Sequence, residues 1–554
     1  MQTVTTEKEH SLKELSLPSL DQAFGYIDQL VKLRMTQANL PGWAIAVTDR
    51  EKLRWVATYG FADVPARVPI TPESLFETGS IGKSFTCIAL LQLREAGILD
   101  LHAPVSRYLP WFEVRSQFPP ITPHHLMRHS AGIIRGTEQA PYGLYDCWAL
   151  RQSETSAPPG VRWHYSSVGY KVLGFLLERL TGQTYPQIIQ SRVLDPLGMS
   201  HSYSAVTFDT RKISTVGYRG FYDDRPQHPT YDLAPALWSE YATADGCQLS
   251  TVGDAAIYLR MLLNRGKGPR GAILSEESFK LLIEPEMGTG NDHYSYALAL
   301  YPIDGHTYVG HGGATTGYNN FIIVDLEAGL GVVSLVNKME ESDTVEATTI
   351  NAMTALRDAH QGRDLPRLPS PNDPASIPNA ADYTGSFHCG DEVLHLTVEN
   401  GQLLLHHAGQ WIALERRNAD AFYVAHPDFA LFLLEFQRVG GKVVEAFHGV
   451  RWYTNQSYSG PRHFEYPAEW EAYTGHYRTR NPELSNFRVV IRKGALFLVL
   501  PWGLVEPLIP LAGECFRIGQ DSRSPETLRI HTMVDGRALR ADFSGCPYYR
   551  TFTP

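Results

Sequence analysis

The C-terminal part of the chain repeats itself, and that repeat limits the folds open to it more than any other feature. Tyr383-Thr384-Gly385-Ser386-Phe387 returns as Tyr473-Thr474-Gly475-His476-Tyr477. Downstream, the apolar alternation of 394–398 and 403–405 around Gly401 returns at 487–491 and 496–498 around Gly494. Each copy is about 85 residues long and reads as roughly eight short strands. A sheet of that size exposes two unpaired edges unless it closes on itself, so the pattern predicts two antiparallel, lipocalin-like β-barrels.

Ahead of the repeat, Pro366, Pro369, Pro371, Pro374 and Pro378 crowd one short stretch. Proline fixes φ and removes a donor, so this stretch predicts a semi-rigid extended linker. The expected division is a mixed region over 1–364, a linker over 365–379, one barrel over 380–468 and a second over 469–554. In the mixed region, helical spacing marks 20–37, 80–95, 169–180, 185–193, 252–263 and 344–359. Strand character marks 43–47, 53–58, 296–301, 307–311, 320–324 and 331–336. Strands at both ends with helices between them predict an α+β unit, one antiparallel sheet flanked by helices.

Acidic residues outnumber basic ones by 59 to 49, for a formal charge of -10. That balance argues against nucleic acid or an anionic membrane as the main partner. No apolar run reaches the ~18 residues of a membrane span. Met1–His10 has no basic start followed by an apolar stretch, so the expected location is cytoplasmic. The six cysteines have no C-x-x-C spacing and are expected as reduced thiols. His124-His125 and His406-His407 do not have metal-ligand spacing, and H-E-x-x-H is missing, so no metal and no cofactor are expected. The expected partner is a small-molecule or short-peptide substrate. Homo-oligomerisation is left open.

Three motifs carry chemistry. Gly79-Ser80-Ile81-Gly82-Lys83 opens a helix, and residues three apart lie on one helical face, so the Lys83 amine can reach the Ser80 hydroxyl. A serine hydroxyl needs such a neighbour before it becomes a nucleophile. S-x-x-K recurs by chance in a chain this long, and Gly82-Lys83-Ser84 also mimics the end of a phosphate-binding loop. That loop needs glycine at position 77, where this chain has Glu77. The second motif is Trp163-His164-Tyr165-Ser166-Ser167, just ahead of a helix. The third is Val309-Gly310-His311-Gly312-Gly313-Ala314, at the end of a strand.

In this order, the three motifs resemble those of the serine β-lactamase and penicillin-binding-protein superfamily. Leu126-Met127-Arg128-His129-Ser130-Ala131-Gly132, Pro196-Leu197-Gly198-Met199, Gln248-Leu249-Ser250-Thr251 and 329–337 extend the resemblance over residues 20–360. It implies that Ser80 becomes acylated while Lys83 and Tyr165 share general-base and general-acid duty. It further implies that the backbone N–H groups of Ser80 and Ala314 form an oxyanion hole. His311 is implied to be catalytic beside the substrate, with Ser167, Gly312 and Gly313 contacting it. His129 is implied to be structural, and His164 is expected to pack beneath Tyr165. Trp238, Tyr241 and Tyr318 are candidates for the pocket wall.

Two positions depart from the pattern. Ser167 stands where an asparagine is usual, and a hydroxyl is shorter than an amide. His311 stands where β-lactamases and penicillin targets usually carry lysine, and histidine is no permanent cation near neutral pH. The second departure moves the expectation toward the esterase and aminopeptidase branches. A catalytic region followed by two barrels resembles the D-aminopeptidases, in which a loop of the last barrel reaches the active site and helps bind a free amine. Residues 481–486 and 519–526 are candidates for that loop on loop character alone. The reading is therefore a serine hydrolase of small amide or peptide substrates with D-configured residues. The alternatives are a carboxylesterase, a β-lactamase or penicillin-binding protein, and a catalytically silent scaffold.

Overall fold

The computed structural model describes residues 17–136, 143–285, 293–340, 342–370, 373–481 and 483–551. A seven-stranded antiparallel sheet organises the first part. Its order is Ala299–Ile303, His306–Thr315, Tyr318–Asp325, Leu330–Val336, Gly42–Asp49, Leu53–Asp63 and Val68–Pro69. The N-terminal strand is inserted beside the last one, with Trp43 opposite Val336 and Asp49 opposite Leu330. Every residue of Gly42–Asp49 is buried, so both faces of this strand must be covered.

Side chains alternate across a strand, and the two sets enter different cores. Trp43, Ile45 and Val47 pack with Ile27, Leu30, Ala352 and Leu356 of the terminal helices Leu17–Ala38 and Ser342–His360. Ala44 and Ala46 face the larger core formed with helices Gly82–Glu95, Ser167–Thr181 and Val252–Leu263. The small alanines let the nucleophile helix and its neighbours lie close to the sheet.

The antiparallel sheet and both barrels agree with the sequence expectation, and two local elements differ. The strand expected over 296–301 runs over Ala299–Ile303 instead, and Tyr296 precedes it, its hydroxyl 2.6 Å from His124 Nδ1. The helix expected over 185–193 is α-helical only over Tyr185–Ile189 and widens to a π-turn over Gln190–Leu194. This widening precedes Pro196, which has no N–H to donate. Pro371 of the linker and residues 138–142 lie outside the described residues.

Each repeat forms a closed eight-stranded barrel. The first runs from Gly385–Cys389 to Arg451–Thr454, and the second from Gly475–Arg478 to Cys546–Arg550. The repeated tyrosines explain the sequence echo. Tyr383 and Tyr473 end 3₁₀ turns and are buried in the cores of their respective barrels.

Polar contacts seat both barrels. In the first, His228 Nε2 lies 2.9 Å from Glu415, and the Tyr231 and Tyr423 hydroxyls are 3.0 Å apart. In the second, Asn486 Nδ2 donates to Asp223 O at 2.8 Å and Arg488 Nη1 donates to Asp224 O at 2.6 Å. Arg492 and Lys493 join the barrels through Glu435 and Glu445. All six cysteines are unbridged. Among the described residues no helix is long and apolar enough to cross a membrane.

Candidate active site

Ser80 lies in the 3₁₀ turn Gly79–Ile81, which runs directly into helix Gly82–Glu95. The helical step brings Lys83 back over Ser80, and Lys83 Nζ donates to Ser80 Oγ at 2.9 Å and to Asp245 O at 2.6 Å. The lysine side chain is buried. Its amine also lies 5.0 Å and 5.7 Å from the ring centroids of Tyr165 and Tyr170. Burying an amine costs free energy unless polar partners replace water. The serine oxygen and the Asp245 carbonyl do so here, and they fix where the nitrogen points.

Backbone contacts hold the Ser80 turn. Thr78 N donates to Gln248 O at 2.8 Å, and Asn320 Nδ2 donates to Glu77 O at 2.7 Å. The Glu77 side chain accepts from Tyr241 at 3.0 Å, and burial pushes its carboxyl up to about 7. Strand His306–Thr315 runs against the turn so closely that two glycines are required. A Cβ on Gly313 would stand 2.0 Å from Thr78 O, and one on Gly79, whose φ is +58°, would stand 2.7 Å from Ala314 N. This approach brings Ser80 and Ala314 onto the wall of one cavity.

Tyr165 is held by its neighbours. Ser166 caps helix Ser167–Thr181, accepting from Gly169 N at 3.1 Å and donating to Ile134 O at 2.7 Å. Ser166 N donates to His129 Nδ1 at 3.0 Å, and the His129 ring lies 4.2 Å from that of Tyr165. Burial, then the charges of Lys83 and neighbouring groups, hold His129 well below its ordinary pKa. His129 is therefore a neutral prop for the Tyr165 turn.

The cavity containing Ser80 is about 500 Å³. Ser80, Lys83, Ser167 and Ala314 line it, whereas Tyr165, His311, Gly312 and Gly313 are not among its wall residues. His311 is 7% exposed; its Nε2 lies 2.9 Å from the Tyr294 hydroxyl, and its Nδ1 bonds Gly312 O. A histidine that donates through Nδ1 and accepts through Nε2 is neutral. Burial pushes its pKa down to about 4, against the opposing hydrogen bond to Gly312 and with help from the charge of Lys83. His311 packs against Tyr294 and Tyr165 with both ring nitrogens engaged. Of the aromatic candidates, Tyr241 lines the cavity, and Trp238 and Tyr318 are not among its wall residues.

The far wall belongs to the second barrel. Both candidate loops reach the cavity, 481–486 through Glu483 and Leu484, and 519–526 through Glu526. His164, expected beneath Tyr165, instead reaches across to Glu526, 2.7 Å from Nε2 to Oε1. Glu526 also accepts from Arg135 N at 2.6 Å and from Ser544 Oγ. Burial raises the Glu526 pKa, but the bond and charge of His164, with Ser544 and Arg135 N, outweigh it and hold the carboxyl below its ordinary value.

Glu483 differs. Its side chain is exposed and lines the cavity, where desolvation raises its pKa against the pull of Arg135. No hydrogen bond or ion pair joins its carboxyl group to a described residue. Sequence reasoning missed Glu483, Glu526 and Arg135 as wall residues. The loop character of 481–486 and 519–526 was the only signal, because their meeting with Ser80 depends on how the barrel docks.

The grouping that could hold a metal among the described residues is His407, His426 and Asp428 on the first barrel, with ligand atoms within 4.8 Å of one another. None of the three lines the Ser80 cavity, and His426 Nδ1 already accepts from Asp428 N at 3.2 Å.

Known proteins resemble this chain in sequence and fold. Over 324 residues the chain is 25% identical to Protein flp of Staphylococcus aureus (strain N315), covering 57% of this chain and 63% of that protein. The match therefore spans less than two thirds of that relative's length. Over 318 residues it is 28% identical to Penicillin-binding protein 4 of Amycolatopsis lactamdurans, covering 54% and 82%. Among solved structures, the octameric penicillin-binding protein homologue from Pyrococcus abyssi superposes with a TM-score of 0.55 at 25% identity, covering 78% of this chain and 100% of that one. SurE superposes with a TM-score of 0.50 at 20% identity, covering 79% and 99%, a likeness of fold. Residues 27–355, more than half of the sequence, match the Beta-lactamase family model; with its Ser80-Lys83 pair on the sheet-and-helix frame, the chain belongs to the beta-lactamase family.

Proposed function

We propose that the protein is a serine hydrolase that cleaves small amide or peptide substrates through an acyl-enzyme on Ser80, with a D-configured residue supplying the carbonyl. The observation that carries this reading is the 2.9 Å bond between Lys83 Nζ and Ser80 Oγ on the wall of a 500 Å³ cavity. In the reacting form Lys83 is the uncharged amine, whose lone pair takes the Ser80 proton as Ser80 attacks the carbonyl, and Lys83 with Tyr165 returns that proton to the leaving nitrogen. The Ser80 and Ala314 N–H groups receive the developing oxyanion. Water then releases the acyl group by the reverse proton route.

Two features favour an amine-bearing substrate over one anchored by a carboxylate. Neutral, fully bonded His311 offers no cation where β-lactamases and penicillin targets usually place lysine. Glu483 presents a carboxyl group with no hydrogen-bond partner among the described residues, on a cavity wall where an incoming ammonium would favour its ionised form. The octameric Pyrococcus relative supports homo-oligomerisation as part of the same reading. A carboxylesterase of the same fold is the second reading. It is favoured by the Tyr165 hydroxyl, which makes no hydrogen bond to Ser80 or Lys83 here, since an ester leaving group needs less protonation than an amine.

The test compares D-alanyl, L-alanyl and N-acetyl-D-alanyl p-nitroanilides with p-nitrophenyl acetate. The expected result is Ser80-dependent cleavage of the D-anilide, with the N-acetyl compound a poor substrate. Cleavage of the ester alone selects the esterase, and equal turnover of the acetylated anilide removes the amine-binding role of Glu483.

A further inference from the structure

A closed eight-stranded barrel has an interior just wide enough to be filled by its own side chains or to hold one small ligand. The two barrels here use that interior differently. No residue of the first barrel lines the Ser80 cavity. In the second, Leu484, Leu498, Leu500, Ile518 and Phe543 belong to the barrel's own core and also line the cavity that contains Ser80 and Lys83. The same cavity thus runs from the nucleophile to the apolar end of that barrel's core.

The rim has the same character. Trp502 and Leu504 lie in the turn after strand Ala495–Val499, fixed by Leu500 N donating to Leu504 O at 2.9 Å. Both line the cavity, and both are exposed, at 53% and 45%. Large apolar side chains left exposed at the mouth of an apolar, concave site mark a surface built to be covered. Glu483 adjoins Leu484 at this mouth, so a polar anchor and an apolar wall lie side by side.

We propose that the mouth of the second barrel is the substrate's apolar subsite, taking a bulky hydrocarbon group attached to the carbonyl that Ser80 attacks. The substrate class is accordingly narrowed to compounds whose acyl side carries a long alkyl or large apolar side chain. This rests on the reading of Ser80 as the nucleophile. Because a buried methylene contributes about 0.8 kcal/mol, each one seated in the barrel raises kcat/KM by up to about fourfold.

The experiment measures kcat/KM for p-nitrophenyl esters from acetyl to octanoyl with the wild type, Leu504→Asp and Leu500→Trp. The expected octanoyl-to-acetyl ratio is about 100 in the wild type, short of the full-burial ceiling, and below about 5 in both variants. Should Leu500→Trp fail to fold, Leu504→Asp decides, because residue 504 is on the exposed rim. A flat wild-type series with Ser80-dependent acetate turnover overturns the subsite and leaves the hydrolase reading standing, as does a steep series unchanged in Leu504→Asp. If no ester or anilide is turned over in a Ser80-dependent way, the hydrolase reading fails, and calorimetry of n-octanamide and acetamide with Ser80→Ala decides the subsite. Binding of octanamide at least about 50-fold tighter supports it, and equal binding overturns it.

Discussion

Replacing Glu526 by alanine tests whether the second barrel is fastened to the catalytic region through the site itself. In the native protein Glu526 accepts from His164 Nε2 at 2.7 Å, from Arg135 N at 2.6 Å and from Ser544 Oγ. The variant leaves three donors without an acceptor. Each costs about 1–3 kcal/mol if it stays dry, and water entering the vacated space recovers part of that, so we expect a net loss of about 3 kcal/mol at this seam. Unfolding of a chain with two barrels and a large mixed region need not be two-state, so the useful readout is local. Exchange of the Arg135 amide, which loses its acceptor outright, should accelerate about 100-fold. A change below about threefold would mean that the seam is held elsewhere and not by Glu526. The pH dependence follows from the depressed folded-state pKa of Glu526. Its contribution is fully present above the unfolded carboxyl value of about 4.3 and is lost as pH falls through the folded value, so wild-type Arg135 protection should weaken only in that acid range.

Lys83→Ala removes the partner of the Ser80 hydroxyl, and kcat/KM should fall at least about 10³-fold while the circular dichroism spectrum is retained. Gly313→Ala puts a carbon 2.0 Å from Thr78 O and must push the Ser80 turn away from Ala314, lowering kcat about 100-fold as one oxyanion donor is misplaced. The folded pKa of His311 is pushed down to about 4. NMR should therefore find its ring neutral from pH 8 to pH 5, and its stabilising contribution, present above about 6.5, should be lost as pH falls toward that folded value. A His311 titration midpoint near 6.5 would contradict the neutral assignment.

Features that depend on local periodicity or on a motif were legible in the sequence. The helix Val252–Leu263 has the bounds its apolar spacing predicts, and the repeated Tyr-Thr-Gly segments mark where each barrel begins. The Ser80-Lys83 bond was legible because helical geometry alone brings residues three apart together. The role of His164 was not, since its partner Glu526 is 362 positions away. The motif around His311 marks its strand, but the contact with Tyr294, 17 positions earlier, is not legible from that motif. Glu483 and the apolar mouth of the second barrel lie furthest from legibility, because identical-looking strands in the first barrel do not meet the catalytic cavity at all.

The proposed reaction stands on Ser80, activated by Lys83, as the acylated nucleophile. Intact-mass measurement after brief incubation with p-nitrophenyl acetate tests it most directly. The expected result is a transient mass increase of one acetyl group on the wild type, mapped to Ser80 by peptide sequencing and missing from Ser80→Ala. Acetylation mapped to another residue, or Ser80→Ala turning over substrate at the wild-type rate, would contradict it.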